Sequence, residues 1–158
     1  MEKDTLSVNT AIEKRDEISE LLYPLLASTY ALYLKTQHCH WNVVGPQFYS
    51  FHLLFQSQYE ELAEAIDEMA ERIRALGSFP EGSFDTFSKA SFIPEADKPL
   101  SAMEMIQALL EGHEALIQYM RKHLPFIEGE GDGATADFLN KRLVIHEKTA
   151  WTLRSTIL

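Results

Sequence analysis

The stretch from Phe48 to Arg72 reads FYSFHLLFQSQYEELAEAIDEMAER. Phe51, Phe55, Gln58, Leu62, Ala65 and Met69 recur within it at alternating steps of four and three. That spacing lays them along one stripe of an α-helix. Neither Gly nor Pro interrupts the pattern until Gly77, a natural C-terminal stop. The reading predicts a helix from Phe48 to Leu76.

The same period extends in both directions. Upstream, Ile18, Leu22, Leu25, Thr29 and Leu32 predict a helix over Asp16 to His40, with Pro24 expected to bend it or delay its start. Asn42-Val43-Val44-Gly45-Pro46 ends that helix. Downstream, Pro80, Gly82, Pro94 and Pro99 break residues 78–100 into a long connection. A short helix near Phe84 to Lys89 fits within it, and Phe84, Phe87 and Phe92 are available to anchor it. Ser101 with Glu104 forms a capping-box pattern. It opens a third long helix carrying Met103, Ile106, Leu110, His113, Ile117, Met120 and Leu124. Gly129, Gly131 and Gly133 mark a turn, and Asp132 is a candidate N-cap for a fourth helix. Leu139, Leu143, His146, Ala150, Leu153 and Ile157 carry its stripe to the end.

No stretch reads as a strand, so the expectation is an all-α four-helix bundle. The long crossover between its second and third long helices carries the short one, as a bundle needs when those two helices run parallel. Residues 1–14 read as an N-terminal tail and residues 15–158 as one domain.

Apolar residues make up 46% and charged residues 24% of the 158, a composition typical of a soluble globular domain. No apolar run approaches the ~20 residues of a membrane span. The mixed-charge start, Met1-Glu2-Lys3-Asp4, lacks the apolar core of a secretory signal. One cysteine, Cys39, excludes an internal disulfide framework. These features point to the cytoplasm. The net charge of −10 argues against affinity for nucleic acid through phosphate neutralisation. It serves solubility, and it can also concentrate cations.

The six histidines are His38, His40, His52, His113, His123 and His146. On a wheel at about 100° per residue, with His52 at zero, Gln56 falls near 40°, Asp67 near 60° and Glu71 near 100°. These four share a face, yet His52 and Asp67 are separated by ~22 Å of helix axis. A two-fold axis near Glu60 and Glu61 would bring His52 of one chain to Asp67 and Glu71 of its copy, making two equal sites per dimer. His40 can complete each site. Two imidazoles and two carboxylates suit ferrous iron, and equally zinc, manganese or cobalt. The alternative is a solvated acidic helix face.

Other features have quieter readings. His113 and His146, on apolar stripes, read as core or interface histidines, and His123 as surface. His38-Cys39-His40 is a weak zinc or redox pattern, because helical geometry turns 38 and 40 apart. Trp41 reads first as a packing residue, with interception of stray oxidant as a second role.

His40-Trp41-Asn42-Val43-Val44-Gly45-Pro46-Gln47-Phe48, Phe51-His52 and Asp67-Glu68-Met69-Ala70-Glu71-Arg72 closely resemble the signature of the Dps family of ferritin-like proteins. The resemblance runs on through Gly129 to Phe138 and Trp151. It implies a homo-dodecamer built from two-fold dimers, with inter-subunit ferroxidase sites. His40 and His52 would come from one subunit, and Asp67 and Glu71 from its partner. It implies Fe(II) oxidised to Fe(III), usually with hydrogen peroxide, as one or two irons per site, with zinc as a possible surrogate. The ferric mineral is kept in the cavity. It also suggests Asp132 and Asp137 as candidates for acidic pores.

One departure stands out. Gln56 occupies a position where relatives often carry a carboxylate, and Leu53 and Ser57 are uncharged as well, which weakens a second iron position. Glu60, Glu61 and Glu64 are then the candidate mineral nucleators.

Three other functions are weighed against this, one of them a purely structural or ligand-binding shell that has lost its iron site. A ferritin-type di-iron centre inside one bundle needs Glu-x-x-His pairs, and no glutamate here has a histidine three residues on. A nucleoid protein whose main activity is DNA binding would want a basic tail. Here Lys3, Lys14 and Arg15 are outnumbered by Glu2, Asp4, Glu13, Asp16 and Glu17, so tight DNA binding is not expected.

Overall fold

A computed structural model describes residues 8–95 and 98–158. The part of the expected tail spanning residues 1–7 lies outside the described residues. Among those described there are four long helices and one short one: α1 (Arg15–Asn42), α2 (Phe48–Ala75), α3 (Phe84–Ala90), α4 (Ala102–Gly129) and α5 (Gly133–Ile157).

Cross-helix pairs give the topology. Tyr119 of α4 donates to the carbonyl of Leu21, and a Cβ at Gly112 would meet Leu32 of α1 at 2.6 Å. Rising α1 numbers thus meet falling α4 numbers, so the two run antiparallel. Arg72 bonds Thr135 and Arg142 bonds Glu61, so α2 and α5 are antiparallel too. With α1–α2 and α4–α5 as hairpins, α2 and α4 are parallel, and the long crossover spans the bundle to connect them.

The stripes expected on α1 and α2 are buried without exception, Ile18 to Leu32 and Phe51 to Met69. On α4 the buried face centres on Ile106, Leu109, Leu110, His113, Leu116 and Met120, while Met103 is exposed. Met103 lies two residues past the Ser101 cap, and burial of α4 begins at Met105 and Ile106. Ile157, at the end of α5, is exposed as well.

Pro24 lies inside α1, and the helix starts well before it, at Arg15. Pro125 sits inside α4 in the same way. Proline removes one backbone hydrogen bond. Burial of Leu22, Leu25 and Leu26 beside Pro24 outweighs that loss, since tertiary packing supplies most helix stability.

The ends follow local chemistry. Ser101 and Glu104 form the expected capping box on α4. Asp132 caps α5 by accepting from the Thr135 N–H at 3.0 Å. Gly77, at φ +98°, closes α2 with Ser78 N–H donating to the Ile73 carbonyl, which only a residue free of Cβ strain does cheaply.

The crossover is strapped across α1. Tyr23 donates to the Glu81 carbonyl, Lys35 to the Pro94 carbonyl, and the Phe92 N–H to Ser28 Oγ. Phe87 packs between Tyr23 and Tyr30, and Phe92 stacks on Tyr119. Phe84, expected as a third anchor, points to solvent at 78% exposure. Among the described residues no helix is long and apolar enough to cross a membrane.

Candidate metal centre

The α1–α2 hairpin brings His40, near the end of α1, against His52, in the second turn of α2. Their rings stack with centroids 3.7 Å apart and an interplanar angle of 14°. His40 Nδ1 lies 2.7 Å from the His52 carbonyl, and His52 Nδ1 lies 2.8 Å from the His40 carbonyl. A carbonyl only accepts, so each Nδ1 must carry the proton. Both imidazoles are thereby held as Nδ1–H tautomers. Each Nε2 has no hydrogen-bond partner among the described residues. A backbone carbonyl fixing the far nitrogen of an imidazole is a common support for a metal-ligating histidine.

Asp67 and Glu71 are exposed on the same helix as His52, about four and five turns away. Neither reaches the histidines within the chain. Among the described residues no group of three or more His, Cys, Asp or Glu side chains converges on one metal position. The helix end that carries both carboxylates is firmly anchored. Next to Glu71, Arg72 donates from Nε to Thr135 Oγ1 at 2.8 Å and from Nη2 to Asp132 Oδ1 at 2.9 Å.

That anchor revises one expectation. Asp132 is buried, at 1% exposure, and turned inward to Arg72, so its charge is not offered to a pore. Burial would raise its pKa. Hydrogen bonds from the Thr135 hydroxyl and N–H, together with Arg72, outweigh burial and hold it below the usual aspartate value. Of the two pore candidates only Asp137 is exposed.

The other candidate ligands are also placed. Gln56 Nε2 donates to Glu60 Oε1 at 2.9 Å, which ties Glu60 to the amide. Glu61 is in a two-pronged ion pair with Arg142, whose Nη2 reaches Oε1 at 2.7 Å. Of the three candidate nucleators, only Glu64 is exposed without such a bond. Cys39 is buried in the core, and burial pushes its thiol up to about 11, although Lys35 lowers it slightly. His38 is exposed and accepts from Asn42 through its carbonyl. The three neighbours His38, Cys39 and His40 thus face three ways. Trp41 is 62% exposed rather than packed in the core of the chain.

A Ferritin-like domain model matches residues 19–157. A DNA protection during starvation protein 2 of Bacillus anthracis is 33% identical over 139 residues, covering 88% of this chain and 95% of the relative. The chain belongs to the Dps family of ferritin-like proteins. An uncharacterized low temperature-induced protein of Nostoc sp. is 42% identical over 155 residues, covering 96% of this chain and 86% of that one. The crystal structure of a Dps protein from Vibrio cholerae O1, described as a member of a broad superfamily of ferritin-like diiron-carboxylate proteins, superposes with TM-score 0.91 at 28% identity. It covers 98% of this chain and 99% of that chain.

Membership in Dps places the chain among proteins of iron storage and DNA protection. Within this Dps chain the bundle interior holds a different polar group. His113 Nδ1 and His146 Nδ1 lie 2.8 Å apart, and Arg142 Nη2 lies 2.9 Å from His146 Nε2. Arginine only donates, so His146 accepts at Nε2 and carries its proton on Nδ1. It therefore donates to His113, whose proton sits on Nε2. Burial, reinforced by Arg142, holds His113 down at about 3. Burial holds His146 well below the usual imidazole value, with the neighbouring His113 and Arg142 adding to the effect. Arg142 was not singled out in the sequence, yet it shares the buried stripe of Leu139, Leu143 and His146, and that position was its signal.

Proposed function

We propose that this protein is a ferroxidase mini-ferritin. It binds Fe(II) at sites shared between two subunits, oxidises it with hydrogen peroxide and stores the ferric product in a hollow homo-dodecamer. The observation that carries this reading is the reciprocal His40–His52 lock, which leaves the Nε2 atoms of two stacked rings without a partner in the chain.

Asp67 and Glu71 of a second copy supply the anionic half of the site. Their carboxylates offset the charge of the ferrous substrate, and hard oxygen ligands favour the ferric product. Two ferrous ions and one peroxide give two ferric ions and two hydroxides. The two-fold crossing of α2 makes the dimer the smallest active unit. With Gln56 in place of a carboxylate, the site builds one strong iron position and a weaker second one. Zinc suits the same donor set and acts as a surrogate or competitor.

The test is to add peroxide to anaerobic protein loaded with ferrous iron. His52→Ala and Asp67→Ala should each lose fast oxidation while still assembling. Equal rates in wild type and both variants would refute the assignment.

A further inference from the structure

Beyond His40 the structure continues as a row of aromatic rings. The Tyr59 ring stands edge-on to the His40 ring at 5.2 Å between centroids. Tyr33 meets Tyr59 at 6.1 Å, and Tyr30 meets Tyr33 at 5.6 Å. The row ends where Tyr30 lines a cleft of about 450 Å³ with Leu26, Ile66, Ala70, Phe84 and Phe87. All three tyrosines are half-buried. Packing alone would be served by phenylalanine, as it is at Phe51 and Phe55 on α2. What tyrosine adds is an oxidisable phenol, three times in succession, starting at the candidate iron site.

We propose that Tyr59, Tyr33 and Tyr30 form a one-electron relay that supplies the second electron when peroxide meets a site holding a single ferrous ion. This rests on the ferroxidase reading above. The need arises at Gln56: a site with one strong iron position offers one electron, whereas cleaving peroxide harmlessly takes two. With one electron alone, the O–O bond breaks to hydroxide and a hydroxyl radical.

With the relay, Fe(II), hydrogen peroxide and the Tyr59 phenol give Fe(III), one hydroxide, one water and a tyrosyl radical. Iron gives one electron and Tyr59 the other. The O–O bond breaks, and the phenolic proton goes to one of the two oxygens to complete the water. Hydrogen-atom exchange along the row regenerates Tyr59 and moves the radical to Tyr33 and then Tyr30. Gln37 donates to the Tyr33 hydroxyl at 3.0 Å, leaving the Tyr33 phenolic hydrogen free to be exchanged. A later ferrous ion and a proton reduce the radical back to phenol, giving a second Fe(III).

The experiment is freeze-quench EPR of the assembled protein, loaded anaerobically with one Fe(II) per subunit and mixed with equimolar peroxide. Wild type should show a tyrosyl radical whose signal narrows when tyrosine is ring-deuterated. Tyr59→Phe keeps the ring and the fold. It should oxidise iron but lose most of the radical, with hydroxyl-radical spin adducts rising several-fold. Tyr33→Phe should confine the radical to Tyr59 and change its lineshape. Tyr119→Phe, on the far side of α1, should leave the signal unchanged. Normal iron oxidation with no tyrosyl radical would overturn the relay and leave the ferroxidase standing, as would a signal that narrows only with deuterated tryptophan, which would assign the radical to a tryptophan instead. Absence of iron oxidation in wild type would remove both.

Discussion

His40 and His52 hold each other in place: each donates its Nδ1–H to the backbone carbonyl of the other, at 2.7 and 2.8 Å. Neither imidazole can rotate or change tautomer without breaking the bond that orients its neighbour. Under the proposed function the pair is one preorganised half of a site whose anionic half comes from another copy. If Asp67 and Glu71 of another copy supply it, two inactive variants should complement each other. A His52→Ala chain keeps its carboxylates, and an Asp67→Ala chain keeps its histidines. In a mixed dimer one site is intact and the other is doubly broken. Random re-pairing makes half the dimers mixed, so co-refolded variants should recover about a quarter of wild-type oxidation. Stopped-flow absorbance measures this, and no recovery above either variant alone would rule out sharing between subunits.

Under the proposed function, Gln56 sets how many irons the site takes. Its amide donates to Glu60 at 2.9 Å, so the neighbourhood is satisfied without a metal. Gln56→Glu would bring two carboxylates together, and a divalent cation would relieve their repulsion. Anaerobic ferrous titration should rise from about one to about two tightly bound ions per site. The metal-free protein should lose a little stability by the same repulsion. An unchanged stoichiometry would show that position 56 lies outside the metal's reach.

Asp132 joins two roles in one buried side chain, capping α5 and pairing with Arg72. Asp132→Ala removes the cap, at about 1 kcal/mol. It also strands a partly buried guanidinium, so the total loss should reach roughly 3 kcal/mol or more. Asp132→Asn keeps an acceptor for the Thr135 N–H and should cost less. Urea denaturation would rank the three proteins. Because Arg72 adjoins Glu71, the Ala variant should also weaken ferrous binding.

The sequence carries these helices legibly because each has a one-sided apolar period and explicit ends: Ser101 with Glu104, Asp132, and Gly77. It carries the four candidate ligands through spacing and through the His40–Phe48 signature. Pairwise choices among polar side chains are harder to read. Nothing in the spacing of Glu60, Glu61 and Glu64 shows that one binds an amide, one an arginine, and one neither. Asp132 looked equally suited to a cap or a pore, and only the approach of Arg72, sixty residues away, turns it inward. The tyrosine row has no sequence signature because it joins residues of α1 and α2 whose contact depends on how the hairpin closes. Val43–Gln47 sets that closure, and no helical period encodes it.

DNA affinity should be weak, although relatives are named for DNA protection. Twelve copies of a chain with net charge −10 would carry roughly −120. The first seventeen residues hold three basic residues against five acidic ones. No shifted band is expected at low micromolar protein in moderate salt. A complex that survives such salt would make DNA binding the main activity.

Acid should loosen the bundle from within. His113, held at about 3 against the ordinary 6.5, and His146, shifted the same way, stay neutral in the folded chain while an unfolded chain protonates them. Above the ordinary value both states are neutral and stability is flat. As pH falls below it, the unfolded state takes up protons that the folded state refuses. Each buried imidazole then costs about 1.4 kcal/mol per pH unit until its own folded value is reached. Arg142 opposes protonation of both, and Glu61 is already committed to Arg142. His113→Gln removes one titrating group while keeping a hydrogen-bonding side chain beside His146. Its stability should fall less steeply between pH 6.5 and 4, even if it starts lower at pH 7. Urea midpoints across that range would show it, and a slope unchanged from wild type would mean that acid acts elsewhere.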